Sequence, residues 1–147
     1  MEFQYFLNFH NEHVLDKLEP YRTEWEIYDK EYQIAGSIDM IFKKDNKFII
    51  FDWKRCKEIK ESNSFEHAFP PIEHLPNCNK WQYALQLNTY KFILEKNYGI
   101  EIEQLFLLCI HPDNPSYSII EIPNMQDEIK LLLDNFCVKQ GKKNVKY

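Results

Sequence analysis

Residues 33–54, QIAGSIDMIFKKDNKFIIFDWK, limit the fold more than any other stretch of the chain. Two runs rich in β-branched and aromatic residues flank the turn formers Lys44-Asp45-Asn46-Lys47, and runs this short with such a break pair as an antiparallel hairpin. Side chains alternate along a strand, so Asp52 and Lys54 point to one face and Trp53 to the other. Asp39 lies on the partner strand, where pairing brings it toward them. A similar run, TEWEIYD, precedes the hairpin across the break DKEYQ, and the three together read as a meander.

Helices are expected around this sheet. Phe3, Phe6, Leu7, His10, Val14 and Leu18 fall near helical spacing over residues 3–18, with Pro20 just beyond as a stop. From Lys80 to Lys96, Tyr83, Leu87, Tyr90 and Leu94 sit at i, i+4, i+7 and i+11 on one largely buried face. Between strand and helix, residues 57–79 are rich in Ser, Asn and Pro and long for an ordinary connection, and read as a functional or mobile loop. IEQLFLLCIHP and YSIIEIP, divided by DNPS, are a hairpin or neighbouring strands, a last helix spans about 125–137, and residues 138–147 read as a basic tail. At 147 residues this is one α/β domain, a central mixed β-sheet flanked by α-helices.

With 18 Lys and Arg against 23 Asp and Glu, the net charge of −5 argues against a protein that coats nucleic acid by bulk electrostatics. It leaves room for a local site, because carboxylates that hold a metal ion gain positive charge from it. Cys56, Cys78, Cys109 and Cys137 contain no CxxC pair, so neither a zinc ribbon nor a compact iron–sulfur clip is suggested, and free structural thiols are expected. No apolar run approaches a membrane span, and MEFQYFLNFHNEH is too charged and aromatic for a signal peptide, which implies an intracellular location.

Carboxylates on adjacent strands beside a lysine suit phosphodiester hydrolysis. Asp39 and Asp52 can supply oxygen ligands to Mg²⁺ or Mn²⁺, and a compact ammonium at Lys54 can stabilise charge developing on phosphate. A DxK triplet alone carries little weight, since Asp45-Asn46-Lys47 has the same form in a turn. Context separates the two: Asp52-Trp53-Lys54 ends the apolar run FIIF and follows Gly36-Ser37-Ile38-Asp39 across a short turn. The bland alternative is a charged sheet edge with a surface ion pair worth under about 1 kcal/mol.

The GxxD strand Gly36–Asp39, the DxK strand Asp52–Lys54 and the QxxxY helix segment Gln86-Leu87-Asn88-Thr89-Tyr90 occur in that order. In this the chain resembles the RecB-like branch of the PD-(D/E)XK nuclease superfamily, which has a restriction-endonuclease-like core. The DWK wording is similar to the mitochondrial genome maintenance exonuclease family. YRTEW, IAGSIDM, FDWKRCK and LQLNTYKFILEK resemble nuclease-domain proteins of large DNA viruses, which would make this a viral protein in a host cell. The resemblance covers roughly residues 10–110.

It implies that Asp39 and Asp52 bind divalent metal, with the Trp53 backbone carbonyl as a further ligand, that Lys54 is catalytic, and that Gln86 and Tyr90 sit beside the site. Glu24 best matches the upstream acidic residue of such families, with Glu26 as the alternative, and a first-helix histidine, His13 or else His10, would complete the metal set. Arg22, Arg55, Lys57 and Gln82 are candidate substrate contacts, although solvated surface is the commoner fate of such residues. Trp53 and Trp81 could stack on unpaired bases, but core packing suits Trp53 better. Cluster-bearing relatives have a tight C-terminal cysteine group, which Cys137 alone does not provide, so no iron–sulfur cluster is expected.

The function implied is metal-dependent hydrolysis of DNA in replication, repair or recombination, by an exonuclease acting on single strands or free ends. A structure-specific endonuclease, an inactive nuclease-fold module that only binds nucleic acid, and a structural or interaction module are the rival readings.

Overall fold

The computed structural model describes residues 2–59, 67–68, 70–72, 74–75 and 78–144, with side chains as far as Phe136. Five strands, β1 (Glu19–Asp29), β2 (Ile34–Lys44), β3 (Lys47–Lys54), β4 (Ile102–Cys109) and β5 (Ser118–Ile122), form one sheet in sequence order. β3 and β4 run parallel while the other neighbours run antiparallel, so the sheet is mixed. Helices α1 (Glu2–Phe9), α2 (Asn79–Asn97) and α3 (Gln126–Asn144) complete the domain. The fold is therefore α/β, a mixed sheet flanked by helices. Among the described residues no helix is long and apolar enough to cross a membrane.

Alternation of side chains divides the core in two. Ile27, Ile38, Ile41, Ile50, Leu105 and Leu107 pack against Ala84, Leu87, Tyr90, Ile93 and Leu94 of α2. Met40, Phe42, Ile49, Phe51 and Leu108 pack on the other face against Tyr5, Phe9 and Val14. Each layer removes apolar surface from water at roughly 25 cal/mol per Å², which fixes both helices against the sheet.

The meander, α2 and the β4–β5 pair appear where the sequence places them, and Asp45, with φ of 56°, forms the β2–β3 turn between Lys44 and Lys47. The first helix differs from its expected course. It becomes a π-helical turn at His10–Val14 and ends there, and Pro20 lies inside β1. Proline is tolerated there because β1 is an edge strand, with no partner on one side to require an N–H. The last helix continues to Asn144 instead of stopping near residue 137, so most of the expected basic tail is helical backbone. Much of the 57–79 loop and residues 145–147 lie outside the described residues.

Candidate active site

The site forms where the β2–β3 ladder stops. Its last pair is Met40 with Phe51, so the next level in register would join Asp39 to Asp52. The strands part there, and the Asp39 side chain takes the place of a ladder acceptor: the Trp53 N–H donates to Asp39 Oδ2 at 2.9 Å. N–H and C=O of one strand residue point the same way, so the Trp53 carbonyl also faces this gap. Lys54 faces the other edge, where its carbonyl accepts from the Ile110 N–H at 2.9 Å.

Asp52 and Lys54 project toward α2 as alternation requires. Asp52 is 3 % exposed, and the Lys54 ammonium lies 2.8 Å from its Oδ2. Apart from that ion pair, Oδ2 is buried without a further partner among the described residues. A buried carboxylate held by one ammonium keeps lone pairs that a cation can use. Burial first pushes the Asp52 carboxyl up to about 6; Lys54 opposes the rise and the neighbouring charge of Asp39 adds to it.

α2 supplies the rest. Lys54 Nζ donates to Gln86 Oε1 at 3.0 Å and sits 4.4 Å from the centre of the Tyr83 ring. Tyr90 is buried one turn beyond Gln86. Its hydroxyl pKa is raised, by burial first and then by the charge of Asp52, against hydrogen bonding from Gln86 and the Ser37 backbone. The GxxD glycine has a physical reason here: a Cβ built on Gly36 would stand 2.2 Å from Tyr90 Cε1. Only glycine lets the Tyr90 ring lie on β2.

Two carboxylates and a carbonyl around one gap are the hard oxygen donors that Mg²⁺ or Mn²⁺ takes. The Asp52 carboxylate, beside that of Asp39 and paired through Oδ2 with Lys54, fits such an ion. The wider ligand set expected from sequence is not assembled, since among the described residues no three His, Cys, Asp or Glu side chains are grouped to hold a metal. Glu24 sits level with Asp39 by the register of its flanking pairs, Thr23 with Met40 and Trp25 with Ile38. Its φ of 48° breaks the ladder, and it lines a cleft of about 380 Å³ with Thr23, Asp39, Met40 and Trp53. Glu26 borders a different hollow beside Gly36 and Ser37.

Ring contacts hold His13. It stacks on Phe9 at 5.8 Å and meets the edge of Tyr117 at 5.9 Å, while His10 lies against Phe6 at 6.2 Å. The aromatic layer beneath the sheet sets both histidine positions. Trp53 packs in the same layer, 4.7 Å from Phe6, as its parity requires, so it is placed for packing and not for stacking on bases.

Of the candidate substrate contacts, Arg55 is beside the site but its Nε donates to Glu2 at 2.7 Å. Arg22 lies over the Tyr21 and Trp25 rings at 5.6 and 4.8 Å. Lys57 and Gln82 are exposed. The contact of Tyr83 with Lys54 was not foreseen. Its signal was weak, a core-like aromatic three residues before Gln86 on the expected buried face.

No protein-family model and no curated protein matches the chain. Among solved structures, a protein from Eubacterium rectale named "Putative exonuclease" superposes with a TM-score of 0.53 at 13% identity, over 88% of this chain and 47% of that one. The protein SSO0001 gives a TM-score of 0.41 at 20% identity, over 95% of this chain and 57% of its own. The chain spans about half the length of the structures it matches. At 13% identity the likeness to the first is one of fold.

Proposed function

We propose that the chain is a Mg²⁺- or Mn²⁺-dependent deoxyribonuclease of the PD-(D/E)XK type, in its RecB-like branch, that hydrolyses phosphodiester bonds. One observation carries this reading: Lys54, Gln86 and Tyr90 converge on a buried Asp52 beside Asp39, with the Lys54 ammonium 2.8 Å from the Asp52 carboxylate. Asp39, Asp52 and the Trp53 carbonyl would hold the cation, which when bound lowers the pKa of an attacking water and offsets phosphate charge. Lys54 stabilises negative charge on the phosphate in the transition state. Gln86 and the Tyr83 ring keep its ammonium aimed, and Tyr90, kept protonated by its raised pKa, remains a hydrogen-bond donor at the site. Glu24 is assigned an outer place at the cleft.

The substrate proposed is DNA with single strands or free ends, cut by an exonuclease in replication, repair or recombination. The name of the Eubacterium rectale fold neighbour supports the exonuclease mode. The test pairs Mn²⁺ calorimetry with digestion of linear and circular DNA, single- and double-stranded. Mn²⁺ binding that Asp39→Asn removes, with degradation of linear DNA only, is expected. Nicking of circles would make the enzyme an endonuclease, binding without cleavage an inactive relic, and no Asp39-dependent binding a scaffold.

A further inference from the structure

We propose that Cys56 and Cys109 form a redox modification site, joining as an intramolecular disulfide by exchange with a low-molecular-weight disulfide such as oxidised glutathione. Their sulfurs are 3.1 Å apart, and the Cys109 thiol donates to the Cys56 carbonyl at 2.7 Å. Topology sets the approach. Cys109 closes β4 in register with Lys54, and Cys56 is the second residue beyond Lys54 on the coil leaving β3. A disulfide needs roughly 2.05 Å between sulfurs, so closure takes about 1 Å of movement. Cys56 lies on coil beyond the last ladder pair, Lys54 with Cys109, so the movement falls outside the parallel ladder.

The two thiols divide the work. Cys56 is partly exposed and open to a soluble disulfide, while Cys109 is buried against it and resolves the adduct. The Cys56 thiolate attacks one sulfur of oxidised glutathione, so that a Cys56–glutathione bond forms, the glutathione S–S bond breaks and one glutathione thiolate leaves. The Cys109 thiolate then attacks the Cys56 sulfur and expels the second glutathione. Both protein thiols are oxidised, two glutathione thiols are released, and they take up the two protons.

Burial first, and the Cys109 sulfur second, push the Cys56 thiol up to about 12, although the Lys54 ammonium pulls it down. Little thiolate is present at neutral pH, so exchange is slow, and the pair answers sustained oxidising conditions and not brief peroxide exposure. The bridge fastens the chain just past Lys54 to the end of β4. The proposal rests on thiol geometry and holds whether or not the chain is a nuclease.

The test incubates the full chain with oxidised glutathione overnight, alkylates it in denaturant and digests it without reductant. A Cys56–Cys109 linked peptide is expected in the mass spectrum, lost after dithiothreitol treatment. Cys56→Ser, a change in a coil, is expected to give no link and leave Cys109 open to alkylation. Two free thiols as alkylatable as in untreated protein, glutathione stably attached to Cys56, or a link from Cys56 to Cys78 or Cys137 would overturn the proposal.

Discussion

Gly36 shows how a single missing side chain positions the site. Gly36→Ala places a methyl 2.2 Å from the Tyr90 ring, whose burial leaves it no easy retreat. Overpacking of this kind costs about 1–3 kcal/mol, and we expect a thermal melt to show a midpoint lower by roughly 2–10 °C. Asp52 should behave oppositely. Burial, helped by the facing charge of Asp39, outweighs the Lys54 ion pair and raises the Asp52 carboxyl to about 6, so the charged form is held at a cost in stability. Without added metal, Asp52→Asn is expected to melt at or above the wild-type temperature, and Mn²⁺ should no longer raise its midpoint. A clear loss of metal-free stability in that variant would contradict this view of the site. Alternation along β3 made the facing of Asp52, Trp53 and Lys54 legible in the sequence. It could not foretell Asp39 or Glu24, because Ile38 and Ile41 face α2 while Met40 and Phe42 face α1. The alternation of β2 therefore slips by one beside Asp39, at the level where Glu24 takes a left-handed φ.

A few buried polar groups tie the helices to one another and to the connections between elements. Asn88 is fully buried: its Nδ2 donates to the Ala84 and Pro123 carbonyls at 2.9 and 3.1 Å, and its Oδ1 accepts from the Met125 N–H at 2.8 Å. It thereby ties α2 to the start of α3. Asn88→Ala strands the Met125 N–H in a buried place, at about 1–3 kcal/mol, measurable as a lower midpoint in urea. Asp29, 2 % exposed, fastens the β1–β2 connection to the end of α2 through Lys96 and Asn97, each at 2.7 Å. Burial alone would raise its pKa, but Lys96, Asn97 and the Tyr32 N–H outweigh it and bring the carboxyl from 3.8 to about 2. A depressed folded-state pKa stabilises the fold above pH 3.8, and that stability is lost as the pH falls toward 2. Asp29→Asn should therefore melt lower than wild type at pH 7, with the gap closing by about pH 2. A gap that stays constant with pH would disprove the linkage. Periodicity located α2 and the hairpin because their signals are local. The end of the first helix was misread because Pro20 signals a helix stop and an edge strand equally well.

Across the molecule, the site lies where β3 ends beside its parallel partner β4 and where β2 turns away from it. Open α/β sheets tend to bind ligands at such strand ends. The order of the three motifs carried this much in the sequence: a strand bearing Asp39, a strand bearing Asp52 and Lys54, and a helix bearing Gln86 and Tyr90. The strand–helix–strand order and the expected mixed sheet allowed a parallel pair, but that β4 pairs with β3 was not assigned from the sequence, because long-range pairing leaves no local mark. The same limit hid the approach of Cys109 to Cys56, which are 53 residues apart. The central claim is that Asp52 and Lys54 do metal-dependent chemistry on DNA. It is tested most directly by following digestion of a labelled linear DNA with Mg²⁺ or Mn²⁺ by the wild-type, Asp52→Asn and Lys54→Ala chains, each confirmed as folded. The expected result is cleavage by the wild type that a chelator abolishes, and a loss of at least about a hundredfold in each variant; wild-type rates in either variant, or cleavage that survives the chelator, would contradict it.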